Sequence, residues 1–262
     1  MNVLSTFAKT CCDTAASRGI NISSVIDTGA QNCVLFTDAG SVLRFPRFEP
    51  FRVQEVAERH EKITDLGLPA PRIYDVHLGV AGVAHLVIEE VPGLPFLDAL
   101  PNFDLSARNR ATDELVEVLL SARTVDPDSW PFFSHQWIDM WTKLRNELGS
   151  TAVAEQISAD DVVTTQKAVA AAKEAPLGLI HGDLAWGNIL FSNTGQLTTV
   201  LDWDFAVMAD PAIDTSAVLL NLPTDMTERF YERHGYSATD MERVQHYLDT
   251  WDLQHRLWQS KA

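Results

Sequence analysis

The sequence predicts an α+β fold of two lobes, a small β-rich one over residues 1–92 and a mostly helical one over 93–262. Three observations predict it. Short β-branched and aromatic runs separated by turn residues dominate the first part of the chain. Beyond Pro95 the apolar spacing lengthens to that of helices. Within that helical part, one β-rich island returns at roughly 178–205.

The elements follow in order. Cys33–Thr37 and Ser41–Phe45 read as two strands, and Asp38-Ala39-Gly40 between them is a hairpin signal. Residues 51–66 carry Phe51, Val56, Ile63 and Leu66 among charges, an amphipathic helix that Leu68-Pro-Ala-Pro71 must end. A strand is expected from about Arg72 and another over His85–Glu90, broken by Pro92-Gly93. Ala111, Leu115, Val118, Leu119 and Ala122 then share one helical face, as do Trp137, Met140, Trp141, Leu144 and Leu148. A further helix is expected over about 159–174. A last one sets Met241, Val244, Leu248 and Trp251 in one stripe and ends near Trp258.

Bulk properties narrow the function classes. A chain of 262 residues that is 46% hydrophobic, with 7 Trp, has ample apolar surface for a core. No run approaches the roughly 18 apolar residues of a membrane span. The N-terminus lacks the basic start and apolar run of a secretory signal, so a cytoplasmic protein is expected. Cys11, Cys12 and Cys33 are an odd set without metal-ligand spacing, expected as reduced thiols. The net charge of −16 repels nucleic acid and anionic membrane, so neither is an expected partner. Residues 1–95 hold 8 basic and 11 acidic side chains, and 96–262 hold 12 and 25. The excess in the second part is either solubilising surface or an acidic cleft that collects a cationic substrate.

Residues 179–204 carry the chemistry. Leu179-Ile-His181-Gly-Asp183-Leu-Ala-Trp186-Gly-Asn188 has the spacing His-x-Asp-Leu-x-x-x-Asn of a kinase catalytic loop, with Gly182 in place of Arg. A carboxylate at Asp183 suits the task of orienting an acceptor hydroxyl and taking its proton. An amide oxygen at Asn188 and a carboxylate at Asp202, at the end of the expected strand Thr198–Leu201, suit Mg²⁺ on phosphates. A hairpin around Asn193-Thr-Gly195 would bring those two together.

The run from His181 to Asn188, with Leu201-Asp-Trp-Asp204 and Asp210-Pro-x-x-Asp214, resembles the aminoglycoside phosphotransferase family, also called the antibiotic and choline kinase family. The resemblance is specific over 179–214 and faint elsewhere. It implies a protein-kinase-like fold, Mg²⁺, ATP or GTP as donor, and a cationic, hydroxylated small molecule as acceptor, with a monomer expected. Gly29 and Asn32 then stand where the family has its phosphate-covering turn. Arg44 in Val42-Leu-Arg-Phe-Pro46 takes the place of the usual phosphate-pairing lysine, and a similar Leu-Arg-x-Pro-Arg run occurs in macrolide-kinase-like sequences. Its helix partner is expected to be Glu55, with Glu58 the second choice. Glu89 and Val91 are placed at the hinge that reads the base edge. His181 is expected to fix the loop, Asp210 and Asp214 to fix loops and cap helices, and Trp186, Asp249 and Asp252 are the remaining acceptor-side candidates.

Antibiotic inactivation is the implied role, with an aminoglycoside as the leading acceptor and macrolides or basic peptide antibiotics behind it. Two rivals differ in kind: a metabolic kinase for choline, homoserine or a sugar, and a nucleotide-binding regulator without turnover.

Overall fold

The computed structural model describes residues 4–29, 31–47, 52–79, 83–132 and 158–259, without the side chains of 252 and 254–259. The expected helix bearing Trp137, Met140, Trp141, Leu144 and Leu148 lies outside the described residues, as do Phe51 and the side chain of Asp252. The chain forms two compact units. One comprises Met1–Gly93 and Thr198–Asp204, the other Leu94–Leu197 and Phe205–Ala262.

The first unit is built on an antiparallel sheet of β1 (Ile22–Ile26), β2 (Asn32–Thr37), β3 (Ser41–Pro46), β4 (Ile73–His77) and β5 (His85–Glu89), in the order β1-β2-β3-β5-β4. Alternation along β3 sends its residues to opposite faces. Leu43 and Phe45 meet helix α1 (Thr6–Ser17), which packs Ala8, Cys11 and Ala15 on Cys33 and Leu35. Val42 faces the other way, with Leu86 and Ile88, onto Val53 and Ala57 of helix α2 (Val53–Asp65). Arg44 shares the parity of Val42 and lies opposite Val34 and Leu86 in the register. Burial pushes the Cys11 and Cys33 thiols up, as expected of unreactive core cysteines.

Helix α1 is an element that apolar periodicity did not announce. Its buried stripe consists of small residues, and its start is fixed by Ser5, whose hydroxyl accepts from the Ala8 N–H at 3.1 Å. The segment that returns from the later sequence is tied into this unit at Pro69. Its carbonyl accepts from Val200 N–H and from the Trp203 indole, each at 3.1 Å.

The second unit is mainly helical. It contains β6 (Leu94–Pro95), α3 (Phe96–Ala99), α4 (Leu105–Arg123), α5 (Ala159–Glu174), β7 (Gly178–Ile180) and β8 (Ile189–Phe191). After β9 (Leu197–Val200), which runs from this unit into the first, come β10 (Val207–Ala209), α6 (Ala212–Leu219), α7 (Thr224–His234) and α8 (Ala238–Gln259). A capping box at Ser158 and Asp161 starts α5. Strands β7 and β10 pair antiparallel, and Ile180 and Val207 join Val169, Ile213, Val244 and Tyr247 in one core. The turn after β8 needs glycine at Gly195. Its φ is +77°, and a Cβ there would fall 2.1 Å from the Ala107 carbonyl oxygen of α4. Among the described residues no helix is long and apolar enough to cross a membrane.

His234, at the end of α7, stacks its ring on Phe230 and is only 2% exposed. Burial, with the Arg123 charge adding, holds its imidazole down to about 4. Between pH 6.5 and 4 the unfolded chain therefore takes up a proton that the folded chain refuses, so stability falls as pH drops through that window. We expect this residue to cost about 2 kcal/mol between pH 7 and pH 5. Denaturant titrations at the two pH values check it: a His234→Gln variant loses correspondingly less stability on acidification.

Candidate active site

The catalytic loop is held by carboxylates below it. Asp214 in α6 accepts from the backbone N–H groups of His181 at 2.6 Å and Gly182 at 3.1 Å. It is 4% exposed, and burial pushes its carboxyl up although His181 and the two N–H donors pull the other way. Gly182 has φ +87°, a conformation that an L side chain seldom adopts. That accounts for glycine at the second position of the motif. His181 is buried, and its Nδ1 accepts from the Asp183 N–H at 3.1 Å. An imidazole that accepts there turns the loop at its base. Asp210 accepts from Ala212 N–H with one oxygen, and from Arg243 and Tyr247 with the other. Both downstream carboxylates thus fix loops.

Asp183 emerges exposed from this framework. A 3₁₀ turn, Trp186–Asn188, follows, and the Asn188 Nδ2 donates to the Asp183 carbonyl at 2.9 Å. That bond orients the amide, with Nδ2 toward the Asp183 carbonyl and the oxygen turned away from it. Asp183 lines a cavity of about 350 Å³ in the second unit, together with Leu97, Trp186, Ile213, Leu220 and Trp251. Trp186 is 4% exposed, stacks on Phe96 at 4.1 Å, and forms part of the wall. Asp249 is absent from the cavity's described lining and accepts from Gln245 instead.

The first unit carries Arg44 and Asp202. The Arg44 guanidinium donates to both oxygens of Asp204 at 2.7 Å and to Asp202 at 2.5 Å. With the Asn32 amide turned so that its oxygen faces the guanidinium, it also accepts from Arg44 at 2.7 Å. Burial opposes ionisation of Asp204, yet the Arg44 charge and bonds from His60 and Arg44 hold its carboxyl far below the usual range. Burial pushes Asp202 up, against the pull of Arg44 and with the neighbouring Asp204 charge adding. Asp202 has φ +64°, the one positive value at a non-glycine among the described residues. Such strain is held in place where the surroundings over-determine it.

The expected pairing of Arg44 with Glu55 is therefore corrected. Glu55, at the exposed start of α2, binds Arg59 at 2.6 Å and Arg52 at 3.6 Å. Arg59 in turn donates to the Asp204 carbonyl. The bidentate partner of Arg44 is Asp204, which stands in the motif Leu201-Asp-Trp-Asp204 but was given no partner from the sequence. Glu58 accepts from Gln54 and does not contact Arg44. Of the remaining nucleotide-side candidates, the Gly29 carbonyl accepts from Arg47 at 2.8 Å. The Glu89 N–H is used by the Arg72 carbonyl at 2.8 Å, so that donor is not left to read a base. Val91 follows β5 half-buried.

The donors fit a hard cation. An amide oxygen at Asn188 and a carboxylate at Asp202 are the types Mg²⁺ takes, and it fills its remaining positions with phosphate and water. Among the described residues no cluster of three or more His, Cys, Asp or Glu side chains could hold a metal.

The pattern of the family described as "Phosphotransferase enzyme family" (APH) matches residues 24–247. A curated relative, "Hygromycin-B 4-O-kinase" of Escherichia coli, is 23% identical over 197 residues, which cover 69% of this chain and 57% of the kinase. The GDP and kanamycin complex of APH(2'')-IIIa superposes with a TM-score of 0.75 at 16% identity, covering 93% of this chain and 88% of the other. The structure named "Macrolide 2'-phosphotransferase type I" does so with 0.66 at 17%, covering 98% and 93%. These likenesses show a protein-kinase-like fold. The family pattern spans both the Arg44 strand and the loop that bears Asp183, and the chain belongs to the aminoglycoside phosphotransferase family of phosphotransferase enzymes.

Proposed function

We propose that this chain is an O-phosphotransferase that moves the γ-phosphoryl group of ATP or GTP to a hydroxyl of a cationic antibiotic. The observation that carries the reading is the catalytic loop. Asp214 and His181 fix its backbone, Asp183 stands exposed on a cavity, and the Asn188 amide is oriented by the Asp183 carbonyl. In this reading Asp183 accepts the proton of the acceptor hydroxyl and orients that oxygen for in-line attack. Asn188 and Asp202 hold Mg²⁺, which when bound neutralises charge on the phosphates. Arg44, anchored on Asp204, presents its guanidinium to the nucleotide phosphates.

The relatives supply the acceptor classes. Kanamycin is bound by one structural neighbour, hygromycin B gives the curated relative its name, and a macrolide gives another neighbour its name. Phosphorylation would place about −1.5 to −2 charges on a drug whose recognition depends on positive charge. The test is a coupled turnover assay with Mg²⁺ and ATP or GTP against aminoglycosides, macrolides, basic peptide antibiotics and choline. Acceptor-dependent release of nucleoside diphosphate is expected with an antibiotic. Turnover with choline alone would replace this reading with a metabolic one.

A further inference from the structure

The turn that leads from β1 into β2 and bears Gly29 borders the cation assigned to the nucleotide phosphates. Where it enters β2, the turned Asn32 amide accepts from Arg44 at 2.7 Å, and Arg44 also holds Asp202. All of these residues belong to the first unit. A Cβ on Gly29 would lie 2.7 Å from the Asn32 carbonyl oxygen, so the turn closes tightly onto the start of β2.

Arg47, just past β3, holds the same turn from the other face of the sheet. Arg44 shares the face of Val42, toward α2. Arg47 instead sets its guanidinium over the Phe7 ring of α1, 5.4 Å from the centroid. From there it donates to the Asp27 carbonyl at 2.6 Å, the Asp27 carboxylate at 2.7 Å and the Gly29 carbonyl at 2.8 Å. That carboxylate is fixed in turn by Ser5, the cap of α1, whose N–H donates at 2.7 Å and whose hydroxyl donates at 2.9 Å. Bonds from Arg47 and Ser5 hold the Asp27 carboxyl below the usual carboxylate range.

Two carbonyls of one turn are thus drawn toward a single cation. In a planar trans peptide the N–H points opposite to the carbonyl. Drawing the Asp27 carbonyl to Arg47 therefore turns the Thr28 N–H away from it. Backbone N–H groups set in this way form the concave donors that phosphate oxygens take.

We propose that Arg47 is a positioning residue for the nucleotide phosphates: it sets the backbone of Asp27 and Gly29 so that the turn presents N–H groups to them, without touching the nucleotide itself. The inference rests on the phosphotransferase reading above and adds the group that orders its phosphate-side turn. In Leu43-Arg-Phe-Pro-Arg47 the two arginines then divide the work. Arg44 meets the phosphates, and Arg47 meets the backbone beside them.

Calorimetric titration of the full chain with Mg²⁺ tests it, using ADP and adenosine, or GDP and guanosine if GTP is the donor. In Arg47→Met the diphosphate Kd should rise about tenfold, the effect of losing charge-assisted hydrogen bonds that order the turn. The Kd of the nucleoside, which has no phosphate to bind, should stay the same. In steady-state kinetics the nucleotide KM should rise while the acceptor KM holds. Arg47→Lys keeps the charge but not the fork that reaches several acceptors at once, so its diphosphate Kd should fall between the two. Unfolding midpoints are measured beside each titration, and Arg47→Lys carries the test should Arg47→Met not fold. Unchanged diphosphate affinity, or equal losses for diphosphate and nucleoside, would give Arg47 a purely structural role and overturn the proposal, while wild-type phosphoryl transfer keeps the phosphotransferase reading. A wild type that binds neither diphosphate nor nucleoside defeats that reading itself, and the proposal with it.

Discussion

Asp183→Ala should lower kcat by about 10²–10⁴-fold, the range for loss of a positioned general base. The nucleotide KM should change little, because the role proposed for Asp183 is toward the acceptor hydroxyl, and it lines the cavity of the second unit. Folding should be unaffected: the side chain is exposed, and the loop geometry comes from Asp214 and His181. Asp183→Asn keeps the shape and removes the base, so it should be nearly as slow as the alanine variant. A large drop in kcat at constant nucleotide KM and constant unfolding midpoint is the expected pattern. A variant that lost stability along with rate would instead assign Asp183 a structural role.

Arg44→Ala has the other large effect, and it appears in stability even without nucleotide. Arg44 holds Asp202 and Asp204 together, with side-chain exposures of 10% for the arginine and 25% and 20% for the carboxylates. Without the guanidinium two neighbouring carboxylates lose their shared cation. Breaking a buried pair from one side costs roughly 3–5 kcal/mol, and the partial exposure of Asp202 places this case at the low end. Arg44→Lys keeps the charge but loses the two-pronged contact, so it should recover only part of the loss. Glu55→Gln is the contrasting variant. Its pairs lie on one helix and it is 41% exposed, so it should cost under about 1 kcal/mol. Equilibrium denaturation of the three variants decides the matter. If Glu55→Gln proved as damaging as Arg44→Ala, the anchoring role given to Asp204 would be wrong.

Local chemistry was legible in the sequence, and distant pairing was not. The loop from His181 to Asn188 is a contiguous pattern in which each residue type has a chemical reason. Its setting between β7 and β8 could be read from the short apolar runs on either side. The hairpin of β2 and β3 was announced by Asp38-Ala39-Gly40, where the Gly40 N–H closes on the Thr37 carbonyl at 3.2 Å. Helix α5 was expected over about 159–174, and the capping box at Ser158 and Asp161 starts it there. Helix α1 stayed hidden because Ala8, Cys11 and Ala15 make a weak apolar stripe, although Ser5 carried the capping signal. The Arg44–Asp204 pair could not be read at all. The two residues are 160 positions apart, and periodicity speaks only for neighbours on one element. The apolar wall of the cavity beside Asp183 was equally out of reach, since its side chains come from α3, the loop after β7, α6 and α8. Net charge left solubilising surface and an acidic cleft both open, because a sum over the chain does not report where carboxylates face.

The most direct test of the central claim is to look for the product. Purified protein, Mg²⁺, ATP or GTP and an antibiotic acceptor are incubated, and the acceptor is analysed by mass spectrometry and ³¹P NMR. The account predicts an acceptor heavier by one phosphoryl group, with a phosphate-monoester resonance, formed by wild type and absent with Asp183→Ala. Nucleotide consumed while every acceptor stays unmodified, at equal rates in wild type and variant, would contradict it.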